Sequence, residues 1–299
     1  MKFDITFLGT GQAIPTASRN HISIFISCFG EGMLFDCGEG TQRQFRKAGI
    51  SPTKIDKIFI SHWHGDHVLG LPGLIQTMAL SNHHKTLTIY GPKGSKRNIS
   101  EIMNVFPHHQ KFRIEVQEIE DGIVFKGKNF HVESSKMDHT IPCLAYSIVE
   151  KDQLRIDKNK LKSLKIPNSP ILGKIKEGKD IVVDGKKIKA KSLTSFEKGL
   201  KVTMIFDTKE NKNSVSLAKN SDILICESTY GDKEEEIAKE YKHMTARQAA
   251  KLAKKSKSKK LLLTHFSQRY ERNEKELLKQ ASEVFKQVSL TNDLDRIVI

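Results

Sequence analysis

The chain is poor in cysteine and has no long apolar run. Its four cysteines, Cys28, Cys37, Cys143 and Cys226, are scattered over 299 residues and form no Cys-x-x-Cys pair. This pattern excludes a disulfide framework and is typical of reduced thiols inside the cell. No apolar run approaches the roughly 18 residues that cross a bilayer, and the N-terminus lacks a basic segment followed by an apolar one. We therefore expect a cytoplasmic protein that does not span a membrane.

Acidic residues are outnumbered by basic ones. The sequence has 50 Lys and Arg against 35 Asp and Glu, a formal net charge of +15, and 37% apolar residues, which is enough for a core. This excess of positive charge favours a polyanionic partner, because each Lys or Arg that neutralises a phosphate releases counterions. A lysine-rich surface without such a partner explains the charge equally well. Composition alone leaves both interpretations open.

Short strands alternate with helices in the first and last thirds of the chain. Residues 2–8 alternate as in a strand, and residues 69–80 have the apolar spacing of a helix. A helix is also predicted over residues 245–254, where it begins with a Thr-x-x-Gln capping box, and another over residues 274–288. Strands that alternate with helices predict layered α/β packing.

The middle of the chain, residues 151–201, has a different composition. It holds 15 Lys and Arg against 6 Asp and Glu, and Phe196 is its only aromatic residue. A segment this basic is expected to contribute little to a core and to protrude, where it can bind a polyanion. A solvated linker is the alternative. We call residues 151–201 the basic arm.

The strongest chemical signal is a cluster of six residues that follows a predicted strand. They are His62-Trp63-His64-Gly65-Asp66-His67. His62 and His64 can share one metal ion, whereas Asp66 and His67 lie further along and can bind a second. Imidazole and carboxylate ligands without thiolate suit Zn²⁺, with Mn²⁺ or Fe²⁺ as competitors. Trp63 is interpreted as a packing residue.

Two metal ions need more ligands than one loop supplies. His139, Asp207 and His265 each come directly after a predicted apolar strand, where side chains project from one edge of a sheet. Taken singly, each is more typical of a capping or surface residue. Together with the six-residue cluster, they predict a two-metal site.

These residues resemble motifs of the metallo-β-lactamase superfamily and, more closely, of the ribonuclease Z family of tRNA 3′-processing endonucleases. The matching motifs are FDCGEGTQ at residues 35–42, HWHGDH at 62–67, DT at 207–208, CESTY at 226–230, HMT at 243–245, HFSQRY at 265–270 and PTASRN at 15–20. Phe206, Cys226 and Ser228 depart from the family pattern, and the last motif lacks its usual lysine. The resemblance implies an αββα four-layer sandwich in a single domain over residues 1–299. The basic arm is then an inserted flexible exosite that binds the tRNA elbow.

The resemblance also implies the site. One metal ion lies on His62, His64 and His139, the other on Asp66, His67 and His265, and Asp207 bridges them. It implies two Zn²⁺ ions per subunit, with Mn²⁺ or Fe²⁺ as possible substitutes, in a homodimer that acts on precursor tRNA. A hydroxide bridging the metal ions attacks the scissile phosphodiester and leaves a tRNA 3′-hydroxyl and a 5′-phosphorylated trailer.

Further roles follow from the same resemblance. His243 is the candidate general acid for the leaving 3′-oxygen, and Glu227 orients its imidazole. Asp66 either activates the water or is a ligand only. The candidate RNA contacts are Arg19, Arg46, Arg269, Lys174 and Lys176. The pairs His83-His84 and His108-His109 are interpreted as surface residues.

Two other functions remain as alternatives. One is a small-molecule hydrolase on the same fold, acting on phosphodiesters, sulfate esters or thioesters. The other is an RNA-binding module that has lost its metal site. The basic arm argues against the first, because a small substrate gives it no role, and the complete set of candidate ligands argues against the second.

Overall fold

The computed structural model describes residues 3–105, 112–183 and 185–299. The chain divides into two compact units. The main unit contains Met1–Lys126, Val132–Ile148 and Lys201–Ile299, and the small unit contains Gly127–His131 and Val149–Leu200.

Strands and helices alternate along most of the described chain. The strands are β1 Phe3–Gly9, β2 Ser23–Cys28, β3 Glu31–Phe35, β4 Ile55–Phe59, β5 Leu87–Gly91, β6 Ile114–Glu118, β7 Gly122–Lys126, β8 Phe130–Met137, β9 Cys143–Glu150, β10 Gln153–Ile156, β11 Ile181–Val183, β12 Lys186–Ile188, β13 Thr194–Glu197, β14 Lys201–Ile205, β15 Ile223–Glu227, β16 Lys260–Thr264, β17 Val288–Leu290 and β18 Arg296–Val298. The helices are α1 Thr41–Lys47, α2 Gly65–Val68, α3 Leu71–Leu80, α4 Ser95–Val105, α5 Lys158–Ser163, α6 Ile171–Lys176, α7 Ala190–Leu193, α8 Lys212–Leu217, α9 Glu235–Glu240, α10 Ala246–Lys255 and α11 Glu274–Ser282. Short 3₁₀ turns occupy Pro52–Lys54, Asp232–Glu234 and Gln268–Tyr270.

Two seven-stranded sheets form the centre of the fold. The first has the order β18-β1-β2-β3-β4-β5-β6 and the second the order β17-β16-β15-β14-β9-β8-β7. Phe35 and Phe59 of the first sheet stack on each other, and the ring of Tyr146 from the second sheet lies 5.8 and 5.4 Å from theirs. The Tyr146 hydroxyl donates a hydrogen bond to the Ile60 carbonyl at 2.6 Å. The inner faces of the two sheets are therefore packed together.

Helices cover the outer face of each sheet. Helix α3 buries Leu71, Leu74, Ile75 and Met78 in one apolar cluster with strands β3, β4 and β5. Helix α10 buries five apolar residues on one face, in a second cluster with strands β15 and β16. The order helix, sheet, sheet, helix confirms the expected αββα sandwich.

Of the two helices predicted near the C-terminus, one is confirmed and the other is shorter than predicted. The capping box of α10 is present as predicted, because Thr245 Oγ1 accepts a hydrogen bond from Gln248 N and Gln248 Oε1 accepts one from Thr245 N. The helix predicted over residues 274–288 is too long, since α11 ends at Ser282. Val288 instead begins strand β17, which pairs in parallel with β16. Backbone pairing at the sheet edge determines the structure there.

The small unit has an apolar core of its own. Strand β10 pairs antiparallel with β13, and β11 with β12. Six buried residues of this unit form one cluster: Leu161, Ile166, Ile175, Ile181, Ala190 and Leu193. The expectation that the basic arm contributes little to a core is therefore wrong at the scale of this unit. Its apolar residues are few, but they are spaced so that short elements bring them together.

No described helix combines the length and the apolar character of a membrane span.

Candidate metal centre

The six-residue cluster His62 to His67 follows strand β4 and continues into helix α2. His64 caps the N-terminus of that helix with an extended backbone, and Asp66 and His67 lie in its first turn. The His67 amide donates a hydrogen bond to the His64 carbonyl at 3.1 Å. One loop and one helical turn therefore present four candidate ligands.

The remaining candidate ligands lie where strands of the second sheet end. Strands β14, β15 and β16 are parallel neighbours, so their carboxyl ends share one edge of the sheet. Asp207 lies two residues beyond β14, and His265 directly follows β16. His139 lies two residues beyond β8. The sheet topology thus brings together residues that are far apart in sequence, as their positions after strands predicted.

His62, His64, His139 and Asp207 form a first group of potential ligands. The Nδ1 atom of His64 lies 3.0 Å from His62 Nε2 and 3.2 Å from His139 Nε2. Asp207 Oδ2 lies 3.5 Å from His62 Nε2 and 3.7 Å from His139 Nε2. All four ligand atoms lie within 4.8 Å of one another.

Asp66, His67 and His265 form a second group next to the first. The two Nε2 atoms lie 3.2 Å apart, and Asp66 Oδ2 lies 3.5 Å from each of them. Asp207 also faces this group, with Oδ2 3.4 Å from His67 Nε2 and Oδ1 3.2 Å from His265 Nε2. Its carboxylate therefore lies against both groups.

The chemistry of these groups fits divalent metal ions. Polar partners on the outside hold the imidazoles through their other nitrogen atoms: Ser61 Oγ for His62, Asp36 Oδ2 for His67, Lys242 O for His139 and Thr229 Oγ1 for His265. His62 Nε2 and His139 Nε2 both lie against His64 Nδ1. These three nitrogen atoms cannot all be satisfied by hydrogen bonds to one another. Asp207 Oδ1 is buried and accepts no hydrogen bond from the described residues. Imidazole ligands held from outside by such partners are typical of protein metal sites.

Burial and neighbouring charges set the protonation of the ligands. Burial lowers the pKa of His62 and of His139, which favours the neutral form that binds metal ions. Burial also opposes the charged form of His67, but the nearby carboxylates, Asp207 first among them, raise its pKa well above the ordinary value. Burial likewise opposes the charge of Asp66, yet His67 and His265 hold its pKa well below the usual range. A bound cation would replace the His67 proton as the partner of these carboxylates.

His243 and Glu227 form a pair beside the ligands. Glu227 is fully buried at the end of β15, where it accepts hydrogen bonds from Thr208 N at 2.7 Å and from Thr229 Oγ1 at 2.6 Å. His243 Nδ1 lies 3.0 Å from Glu227 Oε2, and its Nε2 lies 3.9 Å from Asp207 Oδ2. Burial opposes the charge on His243, but Glu227 and Asp207 outweigh it and raise its pKa to about 9. These two carboxylates therefore favour the protonated form of the imidazole.

A cleft of about 390 Å³ opens onto these residues, and Ala13, His21, Leu69 and Tyr241 are among those that line it. Sequence reasoning assigned no role to His21, nor to the outer partners of the imidazoles. Asp36 was detectable, since it lies in the FDCGEGTQ motif directly after a strand. A backbone carbonyl such as that of Lys242 has no side-chain signal to detect.

Comparisons with known proteins agree with this geometry. A family model described as Anti-Pycsar protein Apyc1 matches residues 3–157. The curated ribonuclease Z of Enterococcus faecalis (strain ATCC 700802 / V583) is 40% identical, over 99% of this chain and 97% of that protein. The crystal structure of human tRNase Z, short form, is 30% identical with a TM-score of 0.73, over 99% of each chain. The chain belongs to the ribonuclease Z family.

The family resemblance of the motifs is thereby confirmed, and the enzyme class is that of a hydrolase, an endoribonuclease. Residues 3–157 belong in addition to the family that the Apyc1 model describes. That stretch includes His62 to His67 and His139, but it ends before Asp207, Glu227 and His243. The metallo-β-lactamase fold protein YhfI from Bacillus subtilis has a TM-score of 0.72 at 18% identity, over 99% of this chain and 98% of that one, which supports the fold alone.

The candidate RNA contacts have different surroundings. Arg46, Arg269, Lys174 and Lys176 are exposed. Arg19 is only 6% exposed, and its guanidinium lies 4.5 Å over the Phe266 ring. It donates to four acceptors: Glu274 Oε1, Thr10 Oγ1, Thr291 O and Asn292 Oδ1. The prediction that Arg19 contacts RNA is therefore wrong, because its side chain is buried and four of its five N–H groups are bound inside the protein.

One of the histidines outside the motifs is buried, although all four were predicted to lie at the surface. His83 is 3% exposed, and its ring lies 4.7 Å from that of Phe112 in an edge-to-face contact. It is a core residue, whereas His84 is exposed. His108 and His109 lie outside the described residues.

Replacing Arg19 by methionine is expected to lower the free energy of unfolding by about 3 kcal/mol, because buried acceptors and the Glu274 carboxylate lose their partner. Urea unfolding followed by circular dichroism measures the change. Arg296→Met is the matched control, since Arg296 pairs with Asp4 at the exposed surface, where an ion pair contributes little, and the loss of stability there should be much smaller. Similar losses in the two variants would contradict the structural role of Arg19.

Proposed function

We propose that the protein is a zinc-dependent endoribonuclease that removes 3′ trailers from precursor tRNA. The products are a tRNA with a 3′-hydroxyl and a trailer with a 5′-phosphate. The observation that carries the proposal is the His243–Glu227 pair beside the metal ligands, with His243 Nδ1 3.0 Å from Glu227 Oε2. A hydrolase whose leaving group needs no proton has no use for such a pair.

Two metal ions per subunit account for the two groups of ligands. His62, His64 and His139 would hold one ion and Asp66, His67 and His265 the other, with Asp207 between them. Such ions lower the pKa of a water molecule and neutralise charge that develops on the phosphate. Nitrogen and oxygen ligands without thiolate favour Zn²⁺, with Mn²⁺ or Fe²⁺ as substitutes.

The residues of the chain itself handle the protons. Glu227 accepts the Nδ1 proton of His243 and so fixes which nitrogen faces the cleft. His243 then donates its Nε2 proton to the leaving 3′-oxygen, as general acid. Asp66, whose Oδ2 accepts a hydrogen bond from Ala13 N at 2.8 Å, orients the attacking water or accepts its proton.

The basic arm supplies the specificity for folded RNA. Lys174 and Lys176 are exposed in helix α6, and Arg46 and Arg269 are exposed in the main unit. An arm that binds backbone and shape suits substrates that share one tertiary form. By the family resemblance, the protein acts as a homodimer in the cytoplasm, and the arm of one subunit serves the site of the other.

A hydrolase of small phosphodiesters is the second candidate function. Its basis is the set of potential ligands, because the groups His62, His64, His139 and Asp207, and Asp66, His67 and His265, form without Glu227 and His243. The ligand groups alone do not distinguish an RNA phosphodiester from a small one.

The test is cleavage of a precursor tRNA with a short 3′ trailer, in the presence of Zn²⁺ or Mn²⁺. We expect one cut near the discriminator base, slowed about 10²- to 10⁴-fold in His243→Ala. Metal content, measured by atomic absorption, should be equal in the two proteins, because His243 is not among the proposed ligands. Absence of the cut, together with hydrolysis of a small phosphodiester in the presence of the same metal ions, would contradict the proposal and support the second candidate function.

A further inference from the structure

His21 lies buried beside the cleft and has no part in the proposed chemistry. It is 6% exposed, and its Nε2 lies 3.1 Å from the Ala13 carbonyl oxygen. A carbonyl oxygen only accepts hydrogen bonds, so Nε2 carries the hydrogen. Nδ1 is buried without a hydrogen-bond partner among the described residues. The single hydrogen bond of this imidazole is therefore made to Ala13.

Ala13 has an unusual backbone conformation and contacts the metal centre. Its φ is +45°, in the left-handed region, where a residue with a Cβ is disfavoured by about 1 kcal/mol. Its amide donates a hydrogen bond to Asp66 Oδ2 at 2.8 Å. The φ of Ala13 helps to set the angle between this amide and the Ala13 carbonyl, and such a conformation persists only where the surroundings hold it.

The backbones around this contact leave little room to relax. A Cβ on Gly38 would lie 2.4 Å from His21 Cβ and 2.4 Å from the Asp66 carbonyl oxygen, so both residues flank the same glycine. On the other side of Ala13, the amide of the preceding residue, Gln12, donates a hydrogen bond to the carbonyl of Phe266, which directly follows His265. Ala13 is thus held between His21 and a segment that follows a candidate ligand.

We propose that His21 is a positioning residue for Asp66. Its hydrogen bond to the Ala13 carbonyl holds Ala13 in the left-handed conformation, and the Ala13 amide in turn fixes the Asp66 carboxylate. This inference rests on the proposed function of Asp66 as a metal ligand. Loss of the hydrogen bond lets Ala13 return to an ordinary conformation, and Asp66 then loses its backbone donor.

The test compares His21→Phe, which keeps the ring, with His21→Gln, which keeps a donor. We expect His21→Phe to weaken Zn²⁺ binding about 10- to 100-fold in competition with a colorimetric chelator. For RNA cleavage, kcat should fall about 10-fold while KM stays within about 2-fold, since Asp66 acts on the reaction and not on substrate binding. His21→Gln should recover most of both losses.

His83→Phe is the matched control. His83 is also a buried histidine whose one hydrogen bond is to a carbonyl, that of Thr53, and its other ring nitrogen is unpartnered among the described residues. His83→Phe should lower the melting temperature without changing Zn²⁺ affinity or kcat. Equal effects of the two phenylalanine variants on Zn²⁺ affinity would overturn the proposal, as would unchanged Zn²⁺ affinity in His21→Phe.

A double variant tests the path through Ala13. Glycine adopts a positive φ without the steric cost, so adding Ala13→Gly to His21→Phe should recover part of the lost Zn²⁺ affinity. No recovery would overturn the role of the Ala13 conformation. The binding measurements do not use RNA, so they stand even if the wild-type protein fails to cleave precursor tRNA and the proposed function is wrong.

Discussion

Replacing Asp207 by asparagine is expected to reduce RNA cleavage by about 10³-fold or more. Asp207 faces both groups of potential ligands, with oxygen atoms 3.2 to 3.7 Å from Nε2 atoms of His62, His67, His139 and His265. Asparagine keeps the shape but removes the charge that offsets two dications. Both metal ions should therefore bind more weakly in the variant.

Two measurements test this prediction. Added Zn²⁺ should raise the melting temperature of the wild-type protein, because an ion that binds only the folded state stabilises it, and this rise should be much smaller in Asp207→Asn. Asp222→Asn is the matched control, because Asp222 stands just before strand β15, at the end away from the ligands, and pairs with Lys259. A full Zn²⁺-dependent rise in Asp207→Asn would show that Asp207 is not a shared ligand.

The ligand groups could be predicted from sequence because the fold follows general rules at this point. Residues that follow parallel strands meet at one sheet edge, so Asp207 and His265 were expected near the six-residue cluster. The capping box of α10 was equally readable, since Thr245 and Gln248 act on their own helix. Local patterns and strand ends therefore predicted most of the candidate site.

The surroundings of single side chains could not be predicted in the same way. Arg19 is a candidate RNA contact by sequence, but nothing in the sequence near it shows that its side chain is buried. Its partners, Glu274 and Thr291, are more than 250 residues away in sequence, and only the closed fold brings them to it. The hydrogen bond from His21 to Ala13 could not be predicted either, because its acceptor is a backbone atom whose position depends on an unusual φ.

The basic arm shows a third limit. Composition identified its charge correctly, but six apolar residues dispersed among lysines gave no helical or strand period long enough to predict a core. Those residues come from α5, α6, α7, β11 and the segment between α5 and α6. A small core of this kind is visible only once the short elements are assembled.

Removing the basic arm is expected to lower kcat/KM for precursor tRNA by about 10²-fold or more while leaving small phosphodiester hydrolysis within about 2-fold, because the lost phosphate contacts serve only the large substrate. The structure indicates the residues at which the deletion should begin and end. Lys201 opens strand β14, and the Glu150 amide donates a hydrogen bond to the Leu200 carbonyl at 2.8 Å. Replacing residues 151–199 by Asn-Gly would join these adjacent residues through a two-residue turn.

A charge variant separates the lysines of the arm from its mere presence. Lys174→Gln with Lys176→Gln should weaken tRNA binding and reduce the salt dependence of log K by about 1 for each phosphate contact that is lost. The control is Lys251→Gln with Lys254→Gln on the exposed side of α10, which removes the same charge from the main unit.

Equal loss of tRNA and small-substrate hydrolysis in the arm deletion would contradict the exosite, because the arm would then support the active site itself. Equal effects of the two lysine pairs would mean that net charge, and not the arm, determines the affinity for tRNA.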